Sequence, residues 1–398
     1  VIKLAERTGL IKPSVTLAIA AKAGKLRSAG IDVVNFSAGE PDFDTPERIK
    51  AAAIKALRGG MTKYTDVKGI EPLREAIAHK YQQEQGLTYG KDDVLVSCGA
   101  KHSLYNLFQA VVDPGDEVLV PAPYWVSYSD MALLAGGVPK IIHTTEASGF
   151  HIKPQQLLEA LTPRTRVFVL NSPCNPTGAS YDREELLAIG GILENHPCLV
   201  FADDIYEKIV YDGFRVHNLI GLCPGLRERT ILINGVSKTY AMTGWRIGYA
   251  LGPREVISAA AKIQSQSTSN PTSIAQAAAL EAICGPQDEI PAMVREFEKR
   301  RDLIVAKLNA VGGLTCLKPQ GAFYAFPNVR ELFRTAPNGK RLASPCDVAD
   351  YFLEQAKVAV VPGEDFGSNE HIRFSYATSL EDIEKGCSRI EDAVARLR

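Results

Sequence analysis

Between residues 46 and 251, short runs of β-branched and aliphatic residues alternate with amphipathic stretches, and this alternation most constrains what the chain can become. The runs Val94–Val96, Val118–Val120, Ile141–His143, Val167–Leu170, Leu199–Ala202 and Ile231–Ile233 read as strands. Segments 46–58, 69–85, 101–112, 124–135 and 182–194 carry helical periodicity. Strand, helix, strand at this spacing builds right-handed crossover units, so an α/β fold with a mostly parallel sheet is expected. The run Ile247–Leu251 follows directly on a glycine-flanked turn, which predicts one strand entering the sheet in the opposite sense. A helical tract over 254–310, broken near Cys284–Pro291, comes next. Beyond it Thr315–Leu317, Ala322–Phe326 and Ile372–Tyr376 read as strands of a smaller α+β unit. The expected division is an N-terminal segment, 1–45, packing with the small unit; a large domain, 46–310; and a small domain, 311–398.

Charge and composition remove several functions. Across 398 residues, 45 Lys and Arg almost cancel 46 Asp and Glu, without the basic excess of a protein that coats nucleic acid. No run of about 18 apolar residues occurs, so no membrane-spanning helix is expected. The opening VIKLAERTGLIKPS does not read as a secretory signal, and a start at Val1 leaves room for a trimmed presequence or initiator. Eight cysteines form no CxxC pair, which predicts reduced thiols and a cytoplasmic setting. Seven histidines fall in no HExxH or paired-ligand spacing, so no metal is expected. Glycine-rich dinucleotide and Walker-type phosphate loops are missing too.

In open α/β sheets the ligand sits beyond the carboxyl ends of the strands. Here Val167–Leu170 runs into Asn171 and the Asn175-Pro-Thr-Gly178 turn, Leu199–Ala202 into Asp203-Asp-Ile-Tyr206, and Ile231–Ile233 into Asn234-Gly-Val-Ser-Lys238. Asn171 to Asp203 is 32 residues and Asp203 to Lys238 is 35, so each interval holds one helix and returns to the same rim. Val94–Val96 ends in Ser97-Cys-Gly99-Ala100-Lys101 at a helix start, where free N–H groups favour a phosphate. A phosphate site, an acid, an amide and a lysine on one rim describe a pyridoxal phosphate site. Singly each is weak: a lysine after a strand is usually solvated, Asn-Pro-Thr-Gly is turn chemistry, and Asp203 could cap a helix.

The string GVSKTYAMTGWRIG at 235–248 resembles the pyridoxal-attachment signature of the class I and II aminotransferases. The likeness continues through Gly39-Glu-Pro-Asp-Phe-Asp-Thr-Pro46, Lys63-Tyr64, Tyr124-Trp125, Asn175-Pro-Thr-Gly178, Asp203, Tyr206 and Arg373. It implies fold-type I, with a large cofactor domain and a small domain. It also implies roles. Lys238 would carry the cofactor covalently and shuttle the substrate's Cα proton. Asp203 would keep the ring nitrogen protonated, while Tyr206 and Asn175 bond the phenolic oxygen and Trp125 stacks on the ring. Arg246, the N–H groups following Gly99 at Ala100 and Lys101, and Tyr64 from a second subunit would bind the phosphate. Arg373 would grip the α-carboxylate in a bidentate fork, helped by the Gly39 N–H and Asn175. The implied assembly is a homodimer with shared active sites, acting on amino acids and 2-oxo acids.

Within the family the closest resemblance is to the bacterial-type aspartate aminotransferases, including the branch that also uses prephenate. Lys12-Pro-Ser14-Val-Thr16, the GEPDFDTP motif, Lys101 and the SQST string at 266–269 carry it. Counterparts of Ser14, Thr16 and Lys101 there read the distal carboxylate of aspartate or glutamate. Cys174 stands where Asn or His often precedes the Asn-Pro pair, and Asp204 replaces a usual Glu. Gly235 stands where the animal-type enzymes carry a phosphate-binding serine. Two alternatives exist: another pyridoxal phosphate chemistry such as C–S elimination, and a regulator with an appended DNA-binding head. About 40 residues ahead of the cofactor-domain pattern are too few for such a head, and the charge is neutral.

Overall fold

The alternation recurs in the computed structural model, which describes residues 2–11, 13 and 15–398 (of residues 15–17 and 20, the backbone alone). After β1 (Val34–Asn35) come β2 (Val94–Ser97), β3 (Glu117–Ala122), β4 (Val138–His143), β5 (Thr165–Asn171), β6 (Leu199–Asp203), β7 (Thr230–Gly235) and β8 (Gly248–Leu251). These last seven form one sheet in the order β2-β8-β7-β6-β5-β3-β4. The pairs β3–β4, β3–β5, β5–β6 and β6–β7 are parallel. As the glycine-flanked turn predicts, β8 runs antiparallel to both β7 and β2. Side chains alternate between the two covered faces: Val94 and Val96 meet Leu73 and Ile77, while Leu95 meets Leu104 and Phe108.

The expected helices stand within three residues of their predicted ends, at Glu47–Arg58, Glu71–Gln85, Ala100–Val111, Ser127–Leu134 and Arg183–Glu194. The long tract is three helices, Arg254–Ser267, Ser273–Cys284 and Glu289–Ala310. Its unexpected first break holds Ser269 at φ 62° and Pro271. Pro291 lies inside the last helix, in its first turn, where a missing N–H costs no helical bond.

The C-terminal part departs further from expectation. Its strands are β9 (Tyr324–Ala325), β10 (Val358–Ala359), β11 (Val361–Pro362) and β12 (Ile372–Ser375). Residues 315–317 are not a strand: the Asn309 side chain takes both backbone groups of Cys316, and Thr315 keeps only an isolated bridge to Asn328. The run 322–326 shrinks to β9 because Ala322 adopts φ 57°, outside any strand conformation. An antiparallel sheet in the order β11-β12-β9 results, and β1 pairs in parallel with β10. One apolar cluster joins Phe36, Phe323, Phe374 and Ile390 to Phe297 and Ile304 of helix Glu289–Ala310. Tyr206 and Tyr211, following β6, enter the same cluster, so it bridges the two sheets. Among the described residues no helix is long and apolar enough to cross a membrane.

Candidate active site

Parallel pairing brings the strand ends together. Asn171, last in β5, lies opposite Asp203, last in β6, and Asp203 lies opposite Ile233 of β7, five residues before Lys238. They open onto a cavity of about 790 Å³ that Ala100, Lys101, Trp125, Asn175, Tyr206, Arg246, Gly39 and Arg373 also line. Eleven of the residues lining it are thus ones the sequence singles out.

Asp203 is 3% exposed. Burial pushes its carboxyl up to about 6, against the pull of hydrogen bonds from Tyr128 and the Ile205 N–H and of the Lys238 charge. The Tyr128 hydroxyl donates to Oδ2 at 2.6 Å and the Ile205 N–H to Oδ1 at 3.3 Å. Asn171 Nδ2 donates to the Asp203 carbonyl at 2.9 Å, and Asn171 Oδ1 accepts the Asn175 N–H at 3.0 Å. An acid so placed is poised to pair with a cationic nitrogen.

Lys238 donates from Nζ to the Gly39 carbonyl. Burial pulls its amine down to about 8; Glu40 opposes this, and the charges of Arg373 and Arg246 reinforce it. Near neutral pH a useful fraction is therefore uncharged and nucleophilic. Tyr206 OH meets Tyr324 OH at 2.8 Å, and burial holds the Tyr206 phenol well above its ordinary range.

Helix Ala100–Val111 begins on the rim, behind Gly99 at φ 90°. Its first N–H groups have no preceding turn to satisfy them, and with Arg246 they form an anion cradle. A Cβ on Gly99 would strike the Arg246 guanidinium, and one on Gly248 the Ala100 backbone, so two glycines permit the approach. Arg246 itself takes φ 56°, a conformation costing a non-glycine residue roughly 1–3 kcal/mol.

Arg373, on β12, is 2% exposed. Its Nη1 donates to Asn175 Oδ1 and its Nη2 to the Ser37 carbonyl, both at 3.0 Å. Its guanidinium lies 4.5 Å from the Tyr324 ring centroid, and Nε has no partner among the described residues. Its partners among the described residues are all neutral, and burial lowers even this guanidinium below its ordinary range. A buried cation with a bare donor calls for an anion.

Not every expected residue joins the cavity wall. Tyr64 is 92% exposed and stands apart from it. Ser14 and Lys12 lie outside the described residues, as does the side chain of Thr16. Lys101 lines the cavity with Nζ 4.9 Å from the Trp125 ring, its amine lowered by partial burial and by Arg246. Sequence reasoning missed Tyr128 and Tyr324. Tyr128 was legible in principle, three residues after Trp125 within the stretch 124–135 that carries helical periodicity; Tyr324 carried no signal.

With this geometry in place, comparison with known proteins is direct. The model of the family "Aminotransferase class I and II" matches residues 31–390. Aspartate aminotransferase of Geobacillus stearothermophilus is 50% identical over 392 residues, 98% of each chain. Aspartate/prephenate aminotransferase of Cereibacter sphaeroides is 49% identical over 396 residues, 99% of each chain. The crystal structure of aspartate aminotransferase from Rhizobium meliloti superposes with a TM-score of 0.96 at 47% identity, covering 100% of both chains.

Proposed function

The chain belongs to the class I and II aminotransferases, and from that premise we propose that it transfers the amino group of aspartate, and of glutamate, to 2-oxoglutarate or oxaloacetate in two half-reactions. The observation carrying this reading is the buried Arg373, whose partners among the described residues are neutral and whose Nε has none among them. An α-carboxylate supplies one, in the bidentate geometry a guanidinium favours.

The residues present fit pyridoxal phosphate, on which the family depends. The glycine-permitted approach of Arg246 to the start of helix Ala100–Val111 suits its phosphate, with the N–H groups of Ala100 and Lys101. Asp203 suits the ring nitrogen, and Trp125 the ring face. Asn175 Oδ1 is taken by Arg373, which leaves its amide N–H groups, with the Tyr206 hydroxyl, to donate to the phenolic oxygen. When bound, the cofactor supplies an electron sink for the pair left behind as the substrate's Cα proton departs. Lys238 would anchor it and, once released, accept and return that proton at Nζ; an amine near 8 can do both. Gly39 would assist Arg373 through its N–H.

Lys101, with Ser14 and Thr16, would read the distal carboxylate. A second reading, activity on prephenate, is favoured by the names of relatives such as that of Cereibacter sphaeroides. The same proposal makes the enzyme a cytoplasmic homodimer, divided at 1–45, 46–310 and 311–398. Eight unpaired thiols support the compartment. The exposure of Tyr64 supports a subunit contact in which its hydroxyl reaches a neighbour's phosphate. Sedimentation should show a dimer, and mixing Lys238→Ala with an inactive Tyr64 variant should restore part of the activity; a fully active monomer defeats the shared site.

Substrate choice is tested by kcat/KM on aspartate, glutamate, alanine, phenylalanine and prephenate. Lys101→Ala should lower the dicarboxylic values by about ten- to a hundredfold and leave alanine and phenylalanine within a few fold. Equal losses on all substrates would move Lys101 to cofactor binding, and release of an unsaturated elimination product would favour a lyase.

A further inference from the structure

Tyr128 is a buried cavity group that this reading leaves unused. It stands in the first turn of helix Ser127–Leu134, its N–H bonded to the Trp125 carbonyl at 3.1 Å. Its ring meets Trp125 edge-on, with centroids 5.2 Å apart. Its hydroxyl, 2.6 Å from Asp203 Oδ2, can act only as donor toward a carboxylate. At that length between buried groups the bond is of the strong, charge-assisted kind. The Ile205 N–H anchors the other oxygen, so both are held from the protein side and their remaining lone pairs are left for the cavity. The Lys238 charge also acts on this carboxyl, which in turn raises Tyr206, Cys174 and Asp204 electrostatically. Among the described residues, Tyr128 is the one side chain hydrogen-bonded to it.

We propose that Tyr128 is a positioning residue: it holds the Asp203 carboxylate charged and aimed at the cofactor's ring nitrogen, and its contact with Trp125 ties that acid to the stacking indole. The proposal rests on the assignment of Asp203 given above. Burial favours the protonated acid, and the phenol's hydrogen bond opposes burial. Without the hydroxyl a larger fraction of Asp203 is protonated at a given pH, and a protonated acid no longer stabilises a cationic ring nitrogen.

The test is cofactor affinity of the full-length, cofactor-free chain from about pH 5.5 to about pH 8.5. Two probes are used: pyridoxal phosphate, and a deaza analogue with carbon replacing the ring nitrogen. The wild type should prefer pyridoxal phosphate. Tyr128→Phe should lose about tenfold in affinity for it at neutral pH, and the pH of half-maximal binding should move up. Affinity for the deaza analogue should not change. Equal loss on both probes means packing alone, and overturns the proposal. A wild type that does not distinguish the probes defeats the Asp203 assignment itself; a variant that distinguishes them as well as wild type defeats only the role of Tyr128. Fluorotyrosine at position 128, a stronger donor of nearly the same shape, should move the pH midpoint down, and a shift up would overturn the proposal independently of the phenylalanine variant.

Discussion

Two regions each bury an arginine, and they treat it in opposite ways. At the junction below the small sheet, Arg301 of helix Glu289–Ala310 is fully buried. Its Nη1 and Nη2 lie on the two Asp212 oxygens at 2.7 and 3.1 Å, Asp302 is 2.8 Å away, and the Tyr211 ring lies beneath it. At the cavity, Arg373 is as deeply buried but among the described residues meets an amide, a carbonyl and aromatic rings alone. The junction is electrostatically complete. The cavity holds an uncompensated cation and, across it, an acid that burial pushes toward its neutral form. Charge satisfied within the chain marks architecture; charge left unsatisfied at high desolvation cost marks a place for a ligand.

The largest effect should come from Arg373→Ala. Two charge-assisted hydrogen bonds to an α-carboxylate contribute about 3–6 kcal/mol, so kcat/KM should fall by roughly 10²–10⁴ for every amino acid. The cofactor-free chain should melt no lower than wild type, because an uncompensated charge has gone. A variant that loses stability along with activity would break the contrast.

Arg301→Ala should do the reverse. A fully buried pair broken on one side costs about 3–5 kcal/mol, but the Asp212 and Asp302 carboxylates can regain water, so about 2–4 kcal/mol is expected. Denaturant unfolding would measure it, while kcat/KM per folded molecule should stay within a few fold.

The smallest effect sharpens the cavity side alone. Because burial raises the Asp203 carboxyl from 3.8 to about 6, the folded cofactor-free chain binds a proton there more tightly than the unfolded chain does. The associated stability is full below the unfolded value and is lost as pH rises through about 6. Asp203→Asn removes that loss, so the cofactor-free variant should exceed wild type by about 2–3 kcal/mol at pH 8. The gain should fade toward pH 4, and melting curves at both pH values check it. A gain that did not depend on pH would mean that the ionisation of Asp203 is not its source.

The sequence by itself determined the large sheet and its rim. Continuous apolar runs such as Val94–Val96 and Ile231–Ile233 suit only strands covered on both faces, and right-handed crossovers put Asn171, Asp203 and Lys238 at neighbouring strand ends. The small unit was harder to read. Two-residue strands such as β10 and β11 are shorter than any period, and the fate of 315–317 turned on the side chain of Asn309. What only the tertiary structure decided is the company each site residue keeps. Arg373 meets Asn175 across 198 positions and Ser37 across 336, and Tyr128 meets Asp203 across 75. No local pattern encodes whether a buried charge finds a counter-ion, because desolvation and Coulomb attraction depend on distances and burial that exist only once segments remote in sequence have packed together.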